Sequence, residues 1–227
     1  MKQIFTILFD LDGTLVDTAP DLMRAHNHVM SKFGYPTKST EEIRNLVGQG
    51  AGAMLGRSIW GQAKKEFGKV QDEKIKKEMV KEFVEYYGNN IVNESKLIDG
   101  VKDFLIWSKE KKISMGVCTN KQEHLAIDLL KKIGIYDFFE YVAGHNTFYY
   151  CKPDPRHLTS VVEILDGDLK KTLMIGDSET DANAAKAAGI PVILLEDGYT
   201  EKNTTEIYHN HLIKDFIGIE KIVTKYL

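Results

Sequence analysis

Apolar residues crowd, spread out and crowd again along this chain, and the changes of spacing divide it. At the start, Ile4-Phe5-Thr6-Ile7-Leu8 forms one short run, as dense as a strand buried on both faces of a parallel sheet. From Asp17 the spacing becomes three and four. Asp17-Thr18-Ala19-Pro20 supplies a capping side chain followed by proline in the first turn. Leu22, Ala25, Val29 and Phe33 then fall on one helical stripe, which Gly34 is placed to end. Ser39 and Glu42 read as a capping box for a second helix through Ile43, Leu46 and Val47. The glycine-rich segment Gly48-Gln49-Gly50-Ala51-Gly52 interrupts it. A third helix covers Ala53 to Trp60, and a fourth runs from about Asp72 to Tyr87, with Ile75, Met79, Phe83 and Tyr87 on one stripe. Residues 17–92 therefore read as an all-helical block without a strand, which exceeds what one crossover connection requires.

From Gly100 helices alternate with short apolar runs, the texture of a parallel sheet covered on both faces. The expected order is a helix over 101–111, a strand over 113–118, and a helix through Leu125, Leu129 and Ile133 that stops at Gly134. A strand over 139–142 follows, then the rigid turn Lys152-Pro153-Asp154-Pro155 into a helix through Leu158, Val161 and Leu165. Thr172 to Gly176 is a fourth strand, the alanine-rich helix to Ala188 stops at Gly189, and 191–195 is a fifth. Residues 196–210 read as a long polar loop and 215–226 as a helical tail.

At 227 residues the chain fills one large α/β domain, or a core with a smaller insertion. A net charge of −3 provides no basic field for nucleic acid, and no apolar stretch approaches the roughly 20 residues of a membrane span. The first apolar run is too short for a secretory signal, and Cys118 and Cys151 alone make no disulfide framework. A cytoplasmic protein acting on small molecules is expected. Nothing in the pattern bears on oligomeric state.

Four polar clusters follow strand ends or start helices: Asp10/Asp12, Thr119/Asn120, Lys152 and Asp177/Asp181. A parallel sheet gathers such ends along one edge, where ligands of open α/β sheets bind. Asp10 and Asp12, two apart on an extended chain, begin on the same side. So close a pair persists with a cation between them, with one protonated, or with both hydrated. Carboxylates, a hydroxyl and a lysine together suit phosphoryl transfer: the acids hold Mg²⁺, while the hydroxyl and the ammonium bind phosphoryl oxygens. An aspartate can also be the nucleophile.

These residues, as Asp10-Leu11-Asp12-Gly13-Thr14, Thr119, Lys152 and Gly176-Asp177-Ser178-Glu179-Thr180-Asp181, resemble the four motifs of the haloacid dehalogenase superfamily of phosphohydrolases. The surrounding stretches, Phe9 to Leu22, Thr119-Asn120-Lys121, Lys152 to Leu158 and Gly176 to Gly189, resemble its phosphoglycolate phosphatase branch. The resemblance implies a Rossmann-like α/β core (residues 1–16 and 93–227) with a helical cap inserted at 17–92. It implies Asp10 as nucleophile and metal ligand, Asp12 as general acid and base with its main-chain carbonyl on the metal, and Asp177 as second metal carboxylate. Thr119 would hold phosphoryl oxygens and Lys152 would balance charge; Asp181 would orient Lys152 or a metal-bound water. Gly13 and Thr14, and Gly48, Gln49 and Gly50 of the cap loop, are candidate substrate contacts, with Arg57, Asn120 and Lys121 at the substrate's far end and Arg44 a further possibility. Asp17 and Thr18 are expected to be hinge and cap residues only. The implied activity is Mg²⁺-dependent hydrolysis of a small phosphorylated metabolite, with 2-phosphoglycolate first. A sugar phosphomutase, a pyrophosphatase or sugar phosphatase, and a non-catalytic binding module are the alternatives.

Overall fold

The first strand, β1 (Thr6–Phe9), has all four residues buried, and its side chains alternate between two hydrophobic clusters. Ile7 and Phe9 enter one cluster and Leu8 the other, as expected of a central strand with helices on both sides. The computed structural model describes residues 5–60 and 70–227; Ile4, expected in this strand, lies outside them.

In chain order β1 is followed by β2 (Val16–Asp17), α1 (Ala19–Lys32), α2 (Thr40–Arg44), α3 (Ala51–Trp60), α4 (Val70–Asn89) and β3 (Lys96–Leu97). Next come α5 (Val101–Glu110), β4 (Ser114–Cys118), α6 (Glu123–Lys132), β5 (Tyr141–Ala143), α7 (Arg156–Ile164) and β6 (Thr172–Gly176). The chain ends with α8 (Glu179–Ala188), β7 (Val192–Leu195), β8 (His211–Ile213) and α9 (Glu220–Val223). Six strands form one sheet in the order β5-β4-β1-β6-β7-β8, and every pairing in it is parallel. β1 lies between β4 and β6, so the chain reverses its direction of travel across the sheet beside β1, and the loops after these three strands open a crevice between them. Below the crevice Phe9 meets Phe104 and Phe139 edge-on, at 6.2 and 5.8 Å between ring centres.

Helices α1 to α4 pack on one another, α1 against α2 and α4, and α3 against α4. The capping box at Ser39 and Glu42 is present, and Gly34 carries the positive φ (78°) that ends the first helix. Three expectations need correction. Residue 17 is not helical: Asp17 lies in β2, which pairs antiparallel with β3 so that Asp17 faces Lys96. Beyond the expected loop over 196–210 lies a sixth parallel strand, β8, where no element was expected, and the tail forms only the short helix α9. The β2–β3 ribbon is tied down by Asp21 of α1, whose buried carboxylate accepts from the main-chain N–H groups of Asn93, Glu94 and Ser95 at 2.9–3.1 Å and from Ser95 Oγ at 2.6 Å.

Candidate active site

The loops beyond β1, β4, β5 and β6 bring the motif residues together. Lys152 Nζ donates to Asp10 Oδ1 at 2.7 Å and to Asp181 Oδ1 at 2.5 Å. One oxygen each from Asp10, Asp177 and Asp181 lie within 4.8 Å of one another. All four side chains are buried. Burial, opposed by Lys152 and reinforced by the charges of Asp181 and Asp12, pushes the Asp10 carboxyl up to about 6. Asp177 rises well above the carboxylate range, first by burial and then by the charges of Asp10 and Asp181. Burial also works against the Lys152 ammonium, but Asp10 and Asp181 outweigh it and hold the pKa above the usual lysine value. One cation among three buried acids leaves negative charge without a partner, which is the electrostatic condition for binding a further cation.

The three acids differ in what they have left to offer. The second oxygen of Asp181 is filled by the start of α8: it accepts from Asp177 N (3.2 Å), Ser178 N (3.1 Å) and Ser178 Oγ (2.7 Å). Asp181 is thereby a strut between helix α8 and Lys152. The approach requires Gly176, where a Cβ would fall 2.5 Å from the Asp181 side chain. Asp177 accepts from Tyr199 N at 2.6 Å and, more weakly, from Thr14 Oγ1 at 3.3 Å. Asp10 and Asp177, with the carbonyl oxygens nearby, are a hard-oxygen donor set of the kind Mg²⁺ takes.

Asp12 has a different partner. Both of its oxygens accept from Lys121 Nζ, at 2.6 and 2.8 Å, and one also accepts from Thr18 Oγ1 at 2.7 Å. The Lys121 ammonium stands 4.6 Å from the centre of the buried Tyr87 ring. Thr119 is buried, and its hydroxyl accepts from Lys121 N at 3.1 Å. The Asn120 amide donates to Gly48 O and to Lys152 O, each at 2.9 Å, joining the glycine loop to the sheet edge. Its carbonyl oxygen is buried without a protein partner.

A cavity of about 420 Å³ opens onto this cluster, lined by Asp10, Asp12, Thr119, Asn120, Lys121, Lys152 and Ser178 from one side and by Gly48, Gln49 and Gly50 from the other. Four expected substrate contacts, Arg57, Gly13, Thr14 and Arg44, do not line it. Arg57 turns back to donate to the carbonyl oxygens of Leu46 and Val47, in the segment that follows α2. Gly13 and Thr14 lie behind Asp177: Gly13 has φ 83°, and a Cβ there would sit 2.3 Å from Asp177 Oδ2. Arg44 is engaged with Asp17, donating to both carboxylate oxygens at 2.9 and 2.8 Å.

Thr18 does not cap α1, because its hydroxyl serves Asp12. The phenol of Tyr199 takes over that work, accepting from Ala19 N at 2.9 Å and donating to Asp17 Oδ1 at 2.5 Å. Tyr199, Thr18 and Tyr87 are the residues that sequence reasoning passed over. For Tyr199 a signal existed, since it lies four residues beyond the end of β7, within reach of the strand-end rule that found the acids.

A parallel α/β sheet carrying buried acids at the carboxyl ends of its middle strands, with a buried lysine from the turn before α7 among them, defines an enzyme of phosphoryl transfer. The chain belongs to the haloacid dehalogenase-like hydrolase family, which it matches over residues 7–195. It is 36% identical over 210 residues to a phosphoglycolate phosphatase of Mesorhizobium japonicum, covering 92% of this chain and 90% of that one. It is 37% identical over 216 residues to a phosphoglycolate phosphatase of Caulobacter vibrioides, covering 95% and 89%. The crystal structure of a predicted phosphoglycolate phosphatase from Haemophilus somnus superposes with a TM-score of 0.87 at 31% identity, over 98% of this chain and 99% of that one. Family and site together define a phosphoric monoester hydrolase. Among the described residues no helix is long and apolar enough to cross a membrane.

Proposed function

We propose that the chain hydrolyses a small phosphorylated metabolite, 2-phosphoglycolate first among candidates, through an aspartyl phosphate on Asp10. The observation that carries this is the placement of Lys152 between Asp10 and Asp181, with Asp177 beside them. Asp181 fixes the ammonium so that it faces both the attacking carboxylate and the phosphoryl oxygens, where fixed charge is most effective. An oxygen of Asp10 attacks phosphorus, and Asp12, lining the same cavity, gives the leaving oxygen its proton. Asp12 then takes a proton from the water that cleaves the aspartyl phosphate. Lys121 and Thr18 keep the Asp12 carboxylate in place, while Thr119 and the adjacent main-chain N–H groups hold phosphoryl oxygens. Mg²⁺ would be held by Asp10, Asp177 and the main-chain carbonyl of Asp12. When bound, it supplies positive charge against the oxygens that gain charge in the transition state.

Residues 17–92 are the cap in this reading and 1–16 with 93–227 the core, the boundaries falling next to the β2–β3 ribbon. The cap closes the cavity through the glycine loop, which Asn120 grips. The names of the relatives and the likeness of the whole chain to them support phosphoglycolate as substrate. The test is release of inorganic phosphate with Mg²⁺ from 2-phosphoglycolate, sugar phosphates, nucleotides and pyrophosphate, with Asp10→Asn as control. Stoichiometric release that the Asp10→Asn variant lacks, lowered by at least about a thousandfold, is expected. Phosphate retained on the product would indicate a mutase, and unchanged turnover by the variant would remove the proposal.

A further inference from the structure

The cavity is lined by two unlike sets of side chains. Besides the acids its lining includes a largely apolar wall made by Leu22 of α1, Val47, Met54 of α3, Val80, Phe83 and Val84 of α4, and Leu125 of α6, with Lys76 of α4 beside them. Its volume of about 420 Å³ is room for about fourteen waters at about 30 Å³ each. A two-carbon acid ester with its phosphoryl group against Asp10 leaves much of that room unfilled. A guest seated on an apolar wall gains dispersion contacts, and an apolar cavity of about 150 Å³ already takes a benzene-sized guest. The charged groups beside the acids are committed elsewhere: Lys152 to Asp10 and Asp181, Lys121 to Asp12. Among the described residues no arginine lines the cavity. Lys76 of α4 also lines the cavity, but along the apolar wall a hydrocarbon chain meets side chains of its own kind.

We propose that this wall is a leaving-group subsite for apolar alcohols, so that phosphomonoesters of unbranched butyl to hexyl alkanols are substrates beside the small acid ester. The proposal rests on the phosphatase reading above and extends it to a second substrate class. The bond from phosphorus to the alkanol oxygen breaks as the bond to Asp10 forms, and the alkoxide takes its proton from Asp12. Water then releases inorganic phosphate, so that ester plus water gives alcohol plus phosphate.

Ethyl, butyl and hexyl phosphates release alkoxides of nearly equal basicity, so a trend among them reports binding. The kcat/KM is expected to rise by about two- to fourfold per added methylene, through KM with kcat nearly constant. Met54→Gln, close in shape but polar, is expected to flatten the rise. The unreactive ethyl-, butyl- and hexylphosphonates, titrated calorimetrically into the wild-type protein with Mg²⁺, should give the same slope in Kd without turnover. A flat or falling phosphonate series overturns the proposal. Phosphoglycolate turnover beside a flat series removes the subsite alone. A rising phosphonate series with no phosphate released from any ester removes the phosphatase reading and leaves the subsite standing.

Discussion

Replacing Lys152 by methionine keeps the length of the side chain and removes its charge. Lys152 is buried, and its two contacts, 2.7 Å to Asp10 and 2.5 Å to Asp181, hold the one cation among three buried acids. Removing one partner of a buried ion pair typically costs about 3–5 kcal/mol, because the charge left behind has neither water nor a counter-ion. For a chain of this size 1 kcal/mol moves Tm by about 2–4 °C, so a fall of roughly 6–20 °C is expected by calorimetry in EDTA at pH 7.5. The pH dependence carries a sign of its own. Asp10 stands at about 6 in the folded protein, above the roughly 3.9 of an unfolded chain. The folded state thus binds this proton more tightly, and the stability it contributes is complete below the unfolded value and lost as pH rises through about 6. Without the ammonium, Asp10 moves further up and the loss at neutral pH deepens. The deficit of Lys152→Met in EDTA should therefore be smaller at pH 5 than at pH 7.5. A variant melting within about 2 °C of wild type at pH 7.5, or showing equal deficits at both pH values, would refute the electrostatic account.

Four further outcomes follow from other contacts. Gly13→Ala places a methyl group against Asp177 and Tyr199 at a positive φ, and should raise the Mg²⁺ concentration needed for half-maximal activity by about tenfold or more, for a cost of about 1.4 kcal/mol or above; a magnesium titration checks this. Asp21→Ala strips the acceptor from three main-chain N–H groups and should cost about 3 kcal/mol in urea unfolding. Burial of Asp21 raises its pKa, but its hydrogen bonds outweigh that and hold it below the usual range. Its contribution is therefore present above the unfolded value and disappears as pH falls through the folded one, so wild type and variant should converge on acidification. Tyr199→Phe keeps the ring and loses both hydroxyl contacts, for about 1–2 kcal/mol by the same measurement.

Much of the site was legible because its chemistry sits where local rules apply. Asp10, Thr119 and Asp177 follow short buried runs, and a parallel sheet leaves little choice about where such ends go. Lys152 was found by its rigid turn and Asp181 by its spacing along a helix. What escaped depends on partners far away in sequence. Lys121 reads as a candidate substrate contact, and nothing local reveals its pairing with Asp12, 109 residues earlier. Thr18 looked like a helix cap because nothing local reveals that a tyrosine 181 positions on does that work. A two-residue ribbon such as β2–β3 has no periodicity to detect, and β8 hides in a polar stretch because its exposure is intermediate throughout. Arg57 shows the converse error, a cation assigned to a ligand when carbonyl oxygens in the segment that follows α2 already claimed it.

The pairing of Asp17 with Lys96 sets the departure and the return of the chain side by side. Neighbouring antiparallel strands can be joined by a hairpin of two residues, so everything from α1 to α4 hangs from one narrow neck. All six parallel strands lie outside that helical block. A change in the length or make-up of the helical block is thus felt at this neck before it reaches the acids, which stay registered on the sheet.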